Sequence, residues 1–266
     1  MSDIRLAATV ILARSPLEVY LTRRSARSAF APDAFVFPGG TIEAQDACAA
    51  VQERTIGLQP DRLRAEFRAE VSPALSSSEP AVDAAAARAL LVTALRELFE
   101  EAGVLLACDA AQRPIDTTED GLARLSTERA AVRSGELSFS EFLRRHDWYA
   151  DTRALTLFSH WITPPSEPRR YNTHFFFAIA PPRAAASADA YETHDGIWIA
   201  PDRALALYRS GEMHLVYPTI KHLERLALFD SVEQARSYAR RKPVLTIMPT
   251  TGDDDFAIPP ALENAW

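Results

Sequence analysis

The sequence predicts an α/β protein. Two β-branched-rich runs stand near its start, one long helical stretch without Pro or Gly occupies its middle, and strand-like segments followed by helical ones fill its second half. With 266 residues, 47% hydrophobic and 24% charged, the chain can bury a full core as one large domain or two small ones.

Arg5 to Arg14 and Glu18 to Arg23 read as two strands joined at Ser15-Pro16, and Phe35-Val36-Phe37 runs straight into Pro38-Gly39-Gly40. Residues 47 to 80 are of mixed polarity and rich in Pro and Ser in their second half, which suggests an insertion ending in a linker. From Asp83 to Ala102 helix formers dominate, and Gly103 stands where a helix C-cap glycine belongs. Further helices are expected at Glu119 to Ser134 and, behind the capping box Ser138-Phe139-Ser140-Glu141, at Ser140 to His146. Ala154 to Thr163, Tyr171 to Ala180 and Gly196 to Ala200 return to strand character. Helices follow at Pro201 to Ser210, Thr219 to Phe229 and Ser231 to Arg240. A last strand, Val244 to Met248, precedes an acidic loop and a loose tail.

The net charge of −7 argues against a general nucleic-acid or anionic-membrane surface. Lys221 and Lys242 are the only lysines among 29 basic residues, so an arginine carries little information without context. Cys48 and Cys108 cannot build a disulfide framework or a Cys-rich zinc site, and the six histidines show no metal spacing. The apolar run Leu6 to Ala13 is too short to span a bilayer. The last residues, Leu262 to Trp266, carry neither a Ser-Lys-Leu address nor a lipidation motif, so a cytoplasmic location is expected.

Chemistry concentrates in the central helix. Arg96-Glu97-Leu98-Phe99-Glu100-Glu101-Ala102-Gly103-Val104 spaces three carboxylates i, i+3, i+4, which stacks them on one helical face. Alone, such a face is most often solvated surface; as a ligand set, its oxygens suit Mg²⁺ or Mn²⁺. Together with Phe37-Pro38-Gly39-Gly40 upstream, the segment resembles the signature of the Nudix hydrolases, which cleave nucleoside diphosphates linked to another moiety. Six positions after Gly40 stands Asp46, a shortened replacement for the family's Glu. Arg96 lies 50 positions beyond it, against the eight of the family pattern, so 42 extra residues interrupt the motif.

One Nudix branch, the peroxisomal coenzyme A diphosphatases, has such an insertion. The resemblance to it extends through Arg24-Ser25-Ala26-Arg27, Phe30-x-Pro32, Trp161-Ile162-Thr163-Pro164 and Arg170-Tyr171-Asn172-Thr173-x-Phe175-Phe176, most of residues 5 to 250. Asn172, where that branch is expected to carry Asp, and the missing peroxisomal address are departures. The resemblance implies an α/β/α sandwich with a mixed sheet, a single domain over 1–250 with the insertion at about 47–82, a helical segment at about 117–150, a C-terminal helical extension and a tail over 251–266.

It further implies that Glu97, Glu100 and Glu101 hold Mg²⁺ (or Mn²⁺) against the diphosphate and that Arg96 is an internal strut paired with Asp46 or Glu43. Gly39 and Gly40 would allow close backbone approach. The general base must then lie elsewhere. Glu192 is the first choice and His194 its rival, although either reads equally as a solvated loop residue. Arg24 and Arg27 could grip a nucleotide phosphate. Trp161 and Tyr171 could stack on adenine, but aromatics on predicted strands are usually core. The expected reaction is hydrolysis of coenzyme A or acyl-coenzyme A to 3′,5′-ADP and (acyl-)4′-phosphopantetheine, with ADP-ribose, NADH or dinucleoside polyphosphates as alternative substrates. A non-catalytic binding or regulatory module is the reading from another class, and the intact glutamate set argues against it. The expected partner is a small nucleotide-linked diphosphate and, at most, a second copy of the chain, with no nucleic acid and no membrane.

Overall fold

The computed structural model describes residues 4–26, 31–67, 82–115, 124–181, 193–251, 256–263 and 266. In chain order come β1 (Ile4–Arg14), β2 (Glu18–Arg24), β3 (Phe35–Val36), β4 (Gly39–Thr41), α1 (Ala44–Ala47), α2 (Ala49–Glu53), β5 (Thr55–Ile56), α3 (Pro60–Glu66) and α4 (Ala84–Ala102). Then follow β6 (Ala107–Cys108), α5 (Ser126–Arg133), α6 (Phe139–Arg145), β7 (Tyr149–Asp151), β8 (Thr156–Ile162), β9 (Arg170–Ile179) and β10 (Thr193–Ile199). The chain finishes with α7 (Pro201–Arg209), α8 (Tyr217–Leu226), α9 (Val232–Arg241), β11 (Thr246–Ile247), β12 (Thr250–Thr251) and β13 (Phe256–Ala257).

The main sheet has eight strands in the order β10-β2-β1-β9-β8-β11, with β3 added to β2 and β4 to β1. It is mixed: β1 runs parallel to β9 and antiparallel to β2 and β4. Alternation along β1 sorts its side chains. Ala8, Val10 and Leu12 join the core beneath α4, whereas Ile11 and Ala13 join the core beneath α8 and α9. Two helical layers therefore cover the two faces. No helix among the described residues is long and apolar enough to cross a membrane.

Helix α4 begins where the Asp83 side chain accepts from the Ala86 amide and ends where Gly103 takes the left-handed conformation at φ 69°. The first half of the insertion is more structured than a helix with a linker. Thr55-Ile56 pairs in parallel with β7, and β7 pairs with β6, which makes a small three-stranded sheet beside the main one. The Pro/Ser-rich second half, and the start of the helix expected from Glu119, lie outside the described residues. The described part of the tail is packed rather than loose. Ile258, Leu262 and Trp266 are buried, the Tyr238 hydroxyl donates to the Trp266 carbonyl at 2.7 Å, and the indole stands edge-on to Trp161 at 5.3 Å. The acidic and Pro-rich composition concealed these apolar anchors.

On the buried face of α8 stands His222, fully buried, with Nδ1 2.6 Å from the Pro218 carbonyl and Nε2 2.6 Å from the Ser159 hydroxyl. Burial pushes its pKa from 6.5 down to about 3. The unfolded chain takes up this proton near pH 6.5 and the fold refuses it until about 3, so the stability tied to a neutral His222 is present above 6.5 and drains as the pH falls towards 3. The loss is up to about 1.4 kcal/mol per pH unit. Melting temperatures measured from pH 6.5 to 4.5 are expected to fall more steeply in the wild type than in His222→Gln; parallel slopes would contradict the assignment.

Candidate active site

Three elements converge on the glutamate-bearing face of α4: the loop and strand carrying Gly39 and Gly40, the short helix α1, and α5. Strand β4 is held against β1 by the pairs Thr9 with Gly39 and Ala8 with Gly40, which brings the glycines over the C-terminal half of α4. The 42 inserted residues leave this register undisturbed.

Arg96 is the hub. Its side chain is 1% exposed, and its Nε and Nη2 reach the two Asp46 oxygens at 2.8 and 2.9 Å. Asp46 is equally buried and also accepts from the Thr93 hydroxyl at 2.8 Å and from the Glu43 amide at 2.9 Å. A shorter Asp serves here because α1 packs directly on α4. The remaining nitrogen of Arg96, Nη1, lies 3.0 Å from Glu97, 3.1 Å from Glu100 and 3.9 Å from Glu43.

Glu97 presses on the loop, and a Cβ built on Gly40 would collide with its carboxylate. Glu101 accepts a hydrogen bond from the Gly39 amide at 2.8 Å. A Cβ on Gly39 would instead meet the backbone of Ala8 and Thr9. The two glycines therefore predict different phenotypes. Gly39→Ala forces backbone apart and is expected to lower the melting temperature, whereas Gly40→Ala displaces a side-chain carboxylate rather than backbone and is expected to cut turnover about ten-fold or more with a smaller loss of stability. Thermal melts and turnover of the two variants check this, and equal effects on both readouts would refute it.

The acidic face is not a solvated one. The Glu97 and Glu100 side chains are only 12% and 7% exposed. Burial pushes both carboxyls above the usual range, and neighbouring carboxylates push in the same direction, Glu100 and Glu101 on Glu97, Glu43 and Asp46 on Glu100; Arg96 opposes the shift in both. A second cation lies close by. Arg129, from α5, donates from Nε to the Glu100 carbonyl at 3.0 Å, and its charge is felt by Glu101 and by Tyr20 of β2. Tyr20 is fully buried, burial raises its pKa, and its hydroxyl has no hydrogen-bond partner among the described residues. Neither residue was singled out from sequence: Arg129 is one arginine among many, and Tyr20 sits in an ordinary strand pattern.

The structure thus gathers Gly39, Gly40, Glu43, Asp46, Arg96, Glu97, Glu100 and Glu101. Arg24 ends β2, where its amide donates to the Ala34 carbonyl at 2.9 Å. Arg27, Glu192 and the His194 side chain lie outside the described residues. Trp161 is buried core. Among the described residues no three His, Cys, Asp or Glu side chains are gathered tightly enough to enclose an ion, since Glu97 and Glu100 turn to Arg96 and Glu101 to the Gly39 amide. The donor chemistry nevertheless fits a hard divalent cation: only carboxylate oxygens, held partly out of water and short of positive charge.

The model of the NUDT19 Nudix domain matches residues 4–226 of the chain. Acyl-coenzyme A diphosphatase NUDT19 of Xenopus laevis is 29% identical over 246 residues, covering 84% of this chain and 63% of the frog protein. The Gallus gallus protein of the same name is 30% identical, covering 88% of this chain and 71% of its own. The chain thus spans less than two thirds of the frog relative's length. A NUDIX hydrolase from Alicyclobacillus acidocaldarius, known from its crystal structure, superposes with a TM-score of 0.64 at 28% identity, over 89% of this chain and 97% of that one. The motif, the mixed sheet between helices and these likenesses agree, and the chain belongs to the Nudix family, in the branch defined by the NUDT19 Nudix domain.

Proposed function

We propose that the protein is a Mg²⁺- or Mn²⁺-dependent diphosphohydrolase that cleaves the phosphoanhydride of coenzyme A or acyl-coenzyme A, releasing 3′,5′-ADP and (acyl-)4′-phosphopantetheine. The observation that carries the reading is the set Glu97, Glu100 and Glu101 packed on the Gly39-Gly40 loop around a locked Arg96. The substrate class follows the names of the frog and chicken relatives.

In this reading Glu97, Glu100 and Glu101 hold the divalent cation, which when bound neutralises diphosphate charge and lowers the pKa of the attacking water. Arg96 and Asp46 keep the glutamates in place, and the Gly39-Gly40 backbone lets the diphosphate come close. We nominate Glu192 as the base that takes the proton from water, with His194 as its rival. Two free cysteines, Cys48 and Cys108, suit a reduced, cytoplasmic setting. The partner in this reading is the small nucleotide-linked diphosphate, without nucleic acid or membrane, and a homodimer is compatible with it.

The test is incubation with Mg²⁺ and, separately, coenzyme A, ADP-ribose, NADH and diadenosine polyphosphates, with products identified by mass. Coenzyme A is expected to give 3′,5′-ADP. Faster cleavage of ADP-ribose or NADH would replace the substrate assignment, and no cleavage of any compound with either metal would favour a binding module.

Arg24 and Arg27 supply a finer expectation. If they grip the ribose 3′-phosphate, one charge-assisted contact of about 1.5–3 kcal/mol makes kcat/KM for coenzyme A about ten-fold to a hundred-fold higher than for dephospho-coenzyme A. Replacing both by Ala erases most of that ratio without abolishing hydrolysis. Equal wild-type rates on the two compounds remove the grip.

A further inference from the structure

A cavity of about 380 Å³ opens on the side of the sheet away from α4, between β8, β9 and the start of α8. Phe176 of β9 joins the core beneath α4 and Phe175 the core beneath α8 and α9, so alternation puts Thr173 on the Phe175 side, where both line the cavity. Val216, Tyr217 and Ile220 form the facing wall, and Phe256 of β13 closes it, its ring 5.7 Å from that of Tyr217. Thr173, Val216, Tyr217, Ile220 and Phe256 are each half-buried, as the walls of an open cavity must be.

The lining decides what can enter. Among the described residues its one charged side chain is Glu167, and the rest is aromatic, aliphatic or hydroxylic. A phosphate there would meet a carboxylate and apolar walls with no cation to receive it. Coenzyme A has two unlike halves. Its adenosine 3′-phosphate half is charged and suits arginines, and Arg24, at the end of β2, lies outside the lining. Its other half, the pantetheine arm with the acyl group, is uncharged. The volume, and mostly apolar walls with a few hydroxyls such as those of Thr163 and Thr173, are those of a small-molecule site.

We propose that this cavity receives the uncharged end of acyl-coenzyme A, the acyl chain and its thioester, and so sets the chain-length preference. The inference rests on the coenzyme A reading of the site. Ala7 pairs with Thr41 on one side and with Thr173 on the other, so Thr173 stands two strand spacings, about 10 Å, from Thr41, the neighbour of Gly40. The pantetheine arm, three peptide-like units long, spans such a distance when extended. Ala31, also in the lining, belongs to the loop that leaves β2 just after Arg24, so the charged half can stay near that arginine while the arm turns inward. Each methylene of an acyl chain taken out of water in the cavity tightens binding up to about four-fold.

S-acylpantetheines, which carry the arm but no phosphate and no nucleotide, are titrated calorimetrically into the full chain in EDTA. One molecule of S-octanoylpantetheine is expected to bind, about ten-fold or more tighter than S-acetylpantetheine. Val216→Trp, which fills the cavity from the start of α8, is expected to weaken the octanoyl ester by about ten-fold or more. Excess 3′,5′-ADP is expected not to displace it. Failure of millimolar S-octanoylpantetheine to bind, equal affinity for the two esters, undiminished binding in Val216→Trp, or displacement by 3′,5′-ADP, which would put the nucleotide in the cavity, would each overturn the assignment. If Val216→Trp does not fold, Thr173→Phe replaces it under the same criterion. These esters have no diphosphate to cleave, so the result is separate from that of the hydrolysis assay: a chain that binds the octanoyl ester and cleaves no coenzyme A keeps the cavity's ligand and loses the catalytic reading.

Discussion

Replacing Arg96 by alanine is expected to lower folding stability by about 3–5 kcal/mol, the cost of breaking a buried ion pair from one side. For a chain of this length that is a fall in melting temperature on the order of 10 °C. The guanidinium is 1% exposed and serves Asp46, Glu97 and Glu100 within 3.1 Å. Without it, Asp46 stays buried with only the Thr93 hydroxyl and the Glu43 amide. Arg96→Lys restores only part of the loss, because an ammonium cannot span both Asp46 oxygens as the planar fork does. Activity falls as well, since the carboxylates lose their common anchor. A melting temperature within about 2 °C of the wild type in Arg96→Ala would falsify the strut role.

The second large effect falls on chemistry rather than stability. Glu100→Gln and Glu101→Gln are each expected to reduce kcat about a hundred-fold or more by removing a charge from the cation-holding set. Folding is little affected: a Gln at 101 still accepts from the Gly39 amide, and one at 100 still accepts from Arg96. At Glu100, burial weighs against the charged form while Arg96 opposes that shift, so a neutral amide costs the fold little there. Steady-state kinetics across a Mg²⁺ titration, beside thermal melts, separate the two readouts. Near-wild-type turnover in both variants would remove the glutamates from the reaction.

Strand alternation in β1, the Pro- and Gly-free run of α4 and its Asp83 and Gly103 caps are local signals, and they place these elements within a residue or two. Counting from Gly40 to Asp46 and Arg96 likewise identified two residues that meet, although 50 positions separate them. What stayed hidden depends on contacts between distant segments. Thr55-Ile56 becomes a strand because β7 lies beside it, and nothing in two residues announces that. The burial of Glu97 and Glu100 follows from β4, α1 and α5 closing over α4, so a face that composition reads as solvated is nearly dry. Arg129 reaches this face from a helix whose own sequence carries no motif.

The Asp46–Arg96 pair closes a chain segment of 50 residues where the family pattern needs eight. Closure entropy grows only with the logarithm of length, so the longer segment costs about 1.6 kcal/mol more, less than the pair's removal would. Each further doubling adds about 0.6 kcal/mol. Between these two residues, then, the chain can gain or shed whole helices while the ion pair holds the cost of the site nearly constant, and a new helix such as α3 can be tried there without retuning the glutamate face.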